Sequence, residues 1–501
     1  MSSKGSASDD DALALLRARA MLRLRRTADA LALLTAAFGA DGARDASPVA
    51  PMLLGTAHVR GGDVERGLAL LHAAALRTDA ADTATRSEIA LGIALAYYRT
   101  RDFERAERAL LDVDPSSDVV YARALECRGW IAKCRNDFRA AVDAFETSLA
   151  QLDRCRQFDR FLEANLVATL SYIAVELLDD TRWAAYDARA ERVSWESSGL
   201  EYYRFWVEMN RSMAAELAGR PREALQAARN AAVCAPSTAF GLFAQCRRAA
   251  VLFSYGELLG FEDLAASIRS DLESIDLRSL HEFEEVNLPV VVAETLALIG
   301  DGDGATAALH RLGTLSPEQI ALLHDEPMKR AYLAFVEGLT ADANRDAFSA
   351  QHRYRDALRI FSEIGMTRRA LLAALRLGEL NGDPRLLAFV EERARALPAN
   401  SWIRTRAARF AAWQTDPMLA ELTRADREVL ELLHEGKSTA EIATIRGRSA
   451  QTIRNTVSKL LKTFAVDNRQ ALIKECSSRG AFPAPARVAA PNGGGGSTTS
   501  S

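Results

Sequence analysis

The sequence predicts an all-α protein: a long solenoid of helical hairpins, then a small four-helix domain. A short turn followed by a small residue recurs between apolar-periodic segments through most of the chain. No apolar strand alternating with helices, and no Gly-rich turn after such a strand, occurs in the 501 residues, so a doubly wound nucleotide domain has no place to sit. Beyond Asp416-Pro417, which breaks a helical pattern, three helix-start signals crowd into about forty residues.

A chain of 501 residues exceeds what one hydrophobic core organises, so at least two domains or a repeat array are expected. Its 63 basic and 67 acidic residues give a net charge of −4, and 49% of its residues are hydrophobic. That balance marks a globular chain and names no charged partner. The N-terminus "MSSKGSASDDDALALLRARA" has no apolar stretch behind a positive start, and no run nears the roughly 18 apolar residues of a membrane span. A cytoplasmic protein with no membrane partner is expected. Cys127, Cys134, Cys155, Cys234, Cys246 and Cys476 show no CxxC and no His at ligand spacing, so they read as reduced core thiols rather than as a metal site or disulfide framework. Residues 1–11 and 479–501 are expected to be disordered, the second because "RGAFPAPARVAAPNGGGGSTTSS" is too poor in apolar side chains to bury a core.

Residues 12–413 carry the repeats. "GGDVERGLALL", "TRDFERAERALL", "RNDFRAAVDAF" and "AGRPREALQAA" each place a turn before a small residue, and Gly67, Ala106 and Ala141 follow one another at intervals of 39 and 35 residues. Gly55 and Gly129 precede Gly67 and Ala141 by twelve residues. The best unit runs over residues 125–149, with Gly129, Asn136-Asp137-Phe138, Ala141 and Phe145. Weaker units are read around Ala30, over 158–195, and around Gly260, Gly300 and Gly382. The pattern resembles the tetratricopeptide repeat, in which small residues let paired helices pack closely. The resemblance implies a role in sensing, interaction or oligomerisation. The aromatic run "LEYYRFW" is read as core, because Tyr202, Phe205 and Trp206 are spaced to pack between helices.

A linker is expected at 414–420 and a separate module at 421–478. Within the module, Gly436-Lys437-Ser438 has the closing triplet of a P-loop. The glycine that a P-loop needs five residues earlier is replaced by Glu431, and the preceding segment has helical spacing at Leu422, Val429, Leu430 and Leu433. Thr423 with Asp426 forms one capping box and Ser438 with Glu441 a second, Ser449 starts a third helix, and Gly436 ends the first. The triplet is thus a turn between helices, and the arrangement is that of a helix-turn-helix. Residues 422–473 resemble the LuxR/GerE-type DNA-binding domain at Leu422-Thr423, Arg427-Glu428-Val429-Leu430, Gly436, Ser438, Glu441-Ile442-Ala443, Ser449, Thr452-Ile453, Leu460, Val466 and Arg469. Arg446 and Arg448 depart from the apolar residues usual at those places, and Thr456 from a frequent His.

Residues 442–466 hold Arg446, Arg448, Arg454, Lys459 and Lys462 and no acidic side chain, a phosphate-binding signature. Ile453, Val457, Leu460, Leu461 and Phe464 form the stripe that faces the module's core. The resemblance implies base-edge contacts from Arg454, Asn455 and Ser458. Lys437, Arg446, Arg448, Thr452, Lys459 and Lys462 are expected to hold phosphates. The expected protein is therefore a sequence-specific DNA-binding transcription regulator, reading double-stranded DNA as a homodimer, with the repeats sensing a peptide, protein or small molecule. The alternative is an interaction scaffold with an auxiliary DNA tether. No enzyme is expected, because seven dispersed histidines and the absence of HExxH or GxSxG leave no catalytic constellation, and no cofactor is implied. Arg23, Arg60 and Arg99 each precede a small residue by seven places; on a concave surface they would form a basic ladder for an acidic effector, the alternative being ordinary solvation. Outside residues 421–476 the chain carries 53 basic and 59 acidic residues, so DNA contact should be confined to the C-terminal module.

Overall fold

One turn, repeated, builds the hairpins. In a computed structural model, which describes residues 9–44, 47–193, 195, 199–255, 261–280, 286–316, 319–320, 327–446 and 448–482, helices pair across a residue in the left-handed region. Examples are Arg101 (φ 62°), Asn136 (63°), Leu178 (58°), Gly300 (89°) and Arg345 (65°). An aspartate follows each, and its carboxylate accepts the N–H of the third residue of the next helix: Asp102, Asp137, Asp179, Asp301 and Asp346.

The pairs are α1–α2 (Asp9–Arg23, Thr27–Phe38), α3–α4 (Val49–Arg60, Val64–Arg77), α5–α6 (Thr83–Arg99, Phe103–Leu110), α7–α8 (Asp118–Cys134, Phe138–Leu152) and α9–α10 (Arg160–Leu177, Asp180–Ala190). They continue with α11–α12 (Glu201–Leu217, Pro221–Cys234), α13–α14 (Thr238–Ser254, Phe261–Ser274), α15–α16 (Leu288–Leu298, Gly302–His310), α17–α18 (Pro327–Ala343, Ala347–Glu363) and α19–α20 (Thr367–Asn381, Pro384–Ala394). Helix α21 (Trp402–Thr415) and the short α22 (Pro417–Ala420) lead to α23 (Arg424–His434), α24 (Thr439–Arg446), α25 (Ala450–Thr463) and α26 (Arg469–Ser478). No strand occurs among the described residues, and no helix among them is long and apolar enough to cross a membrane.

Inside a hairpin, a small residue faces a large one. Gly129 of α7 lies so close to the fully buried Phe145 of α8 that a Cβ at 129 would sit 2.4 Å from the ring. Gly338 and Tyr354 repeat the arrangement in α17–α18, where the corresponding distance is 2.7 Å. The turn pattern read from the sequence passes over that hairpin, although Gly338 and Ala350 keep the twelve-residue interval of Gly129 and Ala141. The unit expected around Gly260 is a hairpin, α13–α14, whose turn at 256–260 lies outside the described residues. Phe205 is fully buried and meets Phe240 edge to face at 4.9 Å between centroids, so the "LEYYRFW" segment is core as read. All six cysteines are free thiols, and burial pushes Cys127 and Cys246 up to about 12.

Successive first helices pack on one another along the stack, and the stack curves until it meets itself. Arg25, in the α1–α2 turn, lies 4.1 Å over the Tyr202 ring of α11, and Leu24 crowds Gly199. Farther along, Arg368 and Arg369 of α19 grip the buried Glu176 of α9, with Arg368 and Glu176 192 positions apart in sequence. Burial alone would raise the Glu176 carboxyl, but the two arginines outweigh it and hold it below its ordinary value.

Three boundary expectations are corrected by packing. Helix α1 starts at Asp9, so 9–11 are helical; residues 1–8 lie outside the described residues. In the expected linker, Leu419 is fully buried, and with Trp413 it enters the same core as Leu422, Leu430 and Leu460. At the other end Ala481 and Phe482 are buried in that core, and Phe482 stacks on His434 at 4.0 Å, so 479–482 belong to the folded module.

Two substitutions check this packing. Gly129→Ala forces a methyl group into the Phe145 ring and is expected to destabilise the chain by about 1 to 3 kcal/mol, read as a lower urea midpoint. Arg368→Ala leaves the buried Glu176 carboxylate to Arg369 alone and is expected to cost roughly 3 kcal/mol in the same measurement, part of which Glu176→Gln recovers in the double variant.

Candidate nucleic-acid interface

The small domain is assembled by its caps. Thr423 and Asp426 bond each other's backbone N–H at the start of α23, and Ser438 and Glu441 do the same before α24. Gly436 ends α23 at φ 82°, so the Gly-Lys-Ser triplet is a helix-ending turn. Ser449 starts α25 by accepting the Thr452 N–H at 3.1 Å, and Asn468 starts α26 in the same way. Ile453 and Leu460 of α25 and Phe464 at its end are buried, with Val457 and Leu461 packed beside them, as the stripe predicts.

Arg454, Asn455 and Ser458 project from the opposite, exposed face of α25, together with Thr452 and Lys462. Gln451, which sequence reasoning missed, ties this face together. Its carbonyl oxygen accepts from Arg454 Nε at 3.1 Å, and its amide donates to Asn455 Oδ1 at 3.0 Å. The signal was present: positions three and four residues apart on a helix are neighbours.

The basic residues expected at phosphates divide into two groups. Arg448 and Lys462 are exposed, and Lys437 is half-buried, its carbonyl held by Arg469. Lys459 is exposed but its Nζ lies 2.6 Å from Asp426. Burial acts against the Asp426 charge, yet Lys459 and Thr423 outweigh it and hold that carboxyl below its ordinary value. Arg446 departs from the expectation. Its guanidinium turns inward, 2.7 Å from Glu428 and 3.0 Å from the Ala425 carbonyl, which also explains how an arginine occupies an otherwise apolar place in the turn.

The helix-turn-helix is held against the repeat array at a second point besides the chain connection. Arg345, in the α17–α18 turn, donates to the carbonyls of Ile445 at 2.9 Å and Arg446 at 3.3 Å, the last two residues of α24. Those carbonyls belong to the end of a helix, where intrahelical partners run out, so a guanidinium fits them electrostatically. Alongside, Arg409 of α21 pairs with Glu431 of α23, and Arg427 lies 4.9 Å over the Trp413 ring.

The arginine ladder read from the sequence is not an open row. Arg99 donates to the carbonyls of Val59 and Arg60, each at 2.8 Å, and Arg60 donates to that of Leu22. Each reaches back to the end of the preceding first helix and braces adjacent hairpins; Arg23 is exposed.

Comparison with known families agrees with this geometry. Residues 420–476 match the family described as GerE, bacterial regulatory proteins, luxR family. No curated protein gave a match to the chain. The matched segment is the α23–α26 module, and it gives the chain a DNA-binding domain of the kind that transcription regulators carry.

Proposed function

We propose that the protein is a sequence-specific transcription regulator in which the helical-repeat array receives an effector, whether peptide, protein or small molecule, and governs when the C-terminal module docks on DNA. The observation that carries this reading is the grip of Arg345 on the Ile445 and Arg446 carbonyls. A turn of the array thereby holds the backbone immediately before α25, so a change in the array's curvature acts directly on the segment that aims the third helix of the module. The array side carries the chain's excess of acidic residues, and an acidic body held beside a DNA-facing helix repels phosphates.

In this reading Arg454 and Asn455 contact base edges, Arg pairing with guanine and Asn with adenine, with Ser458 beside them. Arg448, Thr452 and Lys462 hold phosphates with Lys437, and Lys459 joins them on exchanging Asp426 for a phosphate. Arg446 serves the turn. Two copies of the chain read paired half-sites, with α26 as a contact between them.

Arg454→Ala is expected to cost about 1 to 3 kcal/mol per half-site on the preferred sequence and little on scrambled DNA, whereas Lys462→Ala weakens both about equally. A competition assay on selected and scrambled duplexes decides it. Equal weakening by Arg454→Ala on both would leave an interaction scaffold with a DNA tether. Arg345→Ala is expected to tighten DNA binding by the full-length chain by about 1 to 3 kcal/mol, the worth of the charge-assisted hydrogen bonds it removes. Unchanged affinity in a direct titration would show that the array does not restrain the module through this contact.

A further inference from the structure

One exposed carboxamide on α25 is engaged at both ends, and both of its partners are side chains assigned above to base edges. Gln451 lies in the first turn of the helix, and Arg454 and Asn455 follow it at the two spacings that meet on a helix surface. Arg454 donates from Nε to Gln451 Oε1 at 3.1 Å, and Gln451 donates from Nε2 to Asn455 Oδ1 at 3.0 Å. The two bonds fix which way the amide faces, because its oxygen meets a guanidinium and its nitrogen a carbonyl. All three side chains are exposed. Bonds of this kind between exposed side chains add little to the stability of a helix, so their consequence lies in where they leave the remaining donors pointing.

The neighbours on the helix are tied elsewhere. Ser449 accepts the Thr452 N–H, its hydroxyl lies 2.9 Å from that of Thr452, Thr456 donates to the Thr452 carbonyl, and Lys459 pairs with Asp426. Those contacts bind the helix to itself or to α23. Gln451, Arg454 and Asn455 take no side-chain partner but one another among the described residues. An arginine has five N–H donors, and engaging the one on Nε leaves the four on Nη1 and Nη2, at the end of the fork. Guanine offers two acceptors, N7 and O6, to such a pair. Asn455, whose carbonyl oxygen is turned to Gln451, keeps both Nδ2 hydrogens and one oxygen lone pair for a base edge.

We propose that Gln451 is a positioning residue for base recognition: it holds the Arg454 guanidinium end-on to a guanine and turns the Asn455 amide to the adjoining base, so that the two bases are read as one unit. The inference rests on the reading that α25 enters the major groove, and it names what sets the specificity there. A side chain held in its bound rotamer before contact loses less conformational freedom on binding, and the saving falls only on the sequence that both side chains fit. In this arrangement Gln451 itself contacts no base. Because one amide serves two readers, a wrong base at either position disturbs the contact at the other, and the two preferences are not additive.

The test uses the full chain and duplexes that it selects from a randomised pool, with single-base and adjacent double-base changes made in the selected site. Gln451→Ala is expected to lower the preference at the base that Arg454→Ala affects, and at its neighbour, by about twofold to tenfold each, with scrambled duplexes changed by less than about twofold. Gln451→Glu keeps an acceptor for Arg454 Nε and loses the donor to Asn455. Its charge weakens all duplexes alike, but it is expected to retain the first preference and lose the second, a split that a merely structural role does not produce. Both variants keep the fold, since Gln451 is exposed and Ala and Glu are strong helix formers. In the Arg454→Ala background, Gln451→Ala is expected to change nothing further at the first base. Wild-type preferences in Gln451→Ala overturn the proposal, and so does equal weakening on selected and scrambled duplexes. A further loss at the first base in the double variant also overturns it, because Gln451 would then contact that base itself. If Arg454→Ala alone leaves every preference intact, the reading of α25 fails and the proposal falls with it.

Discussion

The grip of Arg368 and Arg369 on Glu176 is the constraint on which the arrangement depends. A stack of hairpins joined only by neighbour contacts fixes each unit relative to the next and leaves the distant units free to flex. A buried ion pair spanning 192 residues removes that freedom, because Glu176 is 1% exposed and cannot be left unpaired. Closing the stack there brings α19 against α9. From α19 follow α20 and α21, and α21 delivers Trp413 into the core of the DNA-binding module. The orientation of that module is thus set by contacts far from it in sequence.

What was legible in the sequence is what is encoded locally. The capping boxes at Thr423 and Ser438, the helix-ending Gly436 and the apolar stripe of α25 each involve residues within a few positions of one another, and all are present. The hairpins were legible for the same reason: an aspartate after a left-handed residue makes the turn, and a small residue makes room for its partner helix. The hairpin at 327–363 is encoded as locally, in Gly338, Ala350 and Tyr354, but its turn reads Asn344-Arg345-Asp346 and carries no glycine, proline or aromatic residue.

The candidate site was legible only in part, because its remaining determinants act at long range. Nothing within ten residues of Arg446 distinguishes a phosphate ligand from a partner of Glu428; only the packing of α24 on α23 decides it. Trp413 and Phe482 looked like the edges of a linker and a tail, yet both are core, since the module's own four helices leave their apolar ends uncovered. Arg345 meets Ile445 across 100 residues, and no period or spacing carries that information. The arginines at 60 and 99 show the converse. Their regular spacing was real, but it marked a brace between hairpins, with each guanidinium serving the carbonyls at the end of the previous first helix.

Electrostatics ties these levels together. The array is acidic overall while residues 442–466 are basic without an acidic side chain, so the docked module is drawn to the body at close range by pairs such as Arg409–Glu431 and to DNA by the charges of α25. A surface ion pair contributes at most about 1 kcal/mol, so a few such contacts hold the module without locking it. The array itself is closed by the buried pairing of Arg368 and Arg369 with Glu176 as well as by apolar packing. From the closure at Glu176, contacts run through α21 into the core of the module, while Arg345 of the array holds the two carbonyls at the end of α24.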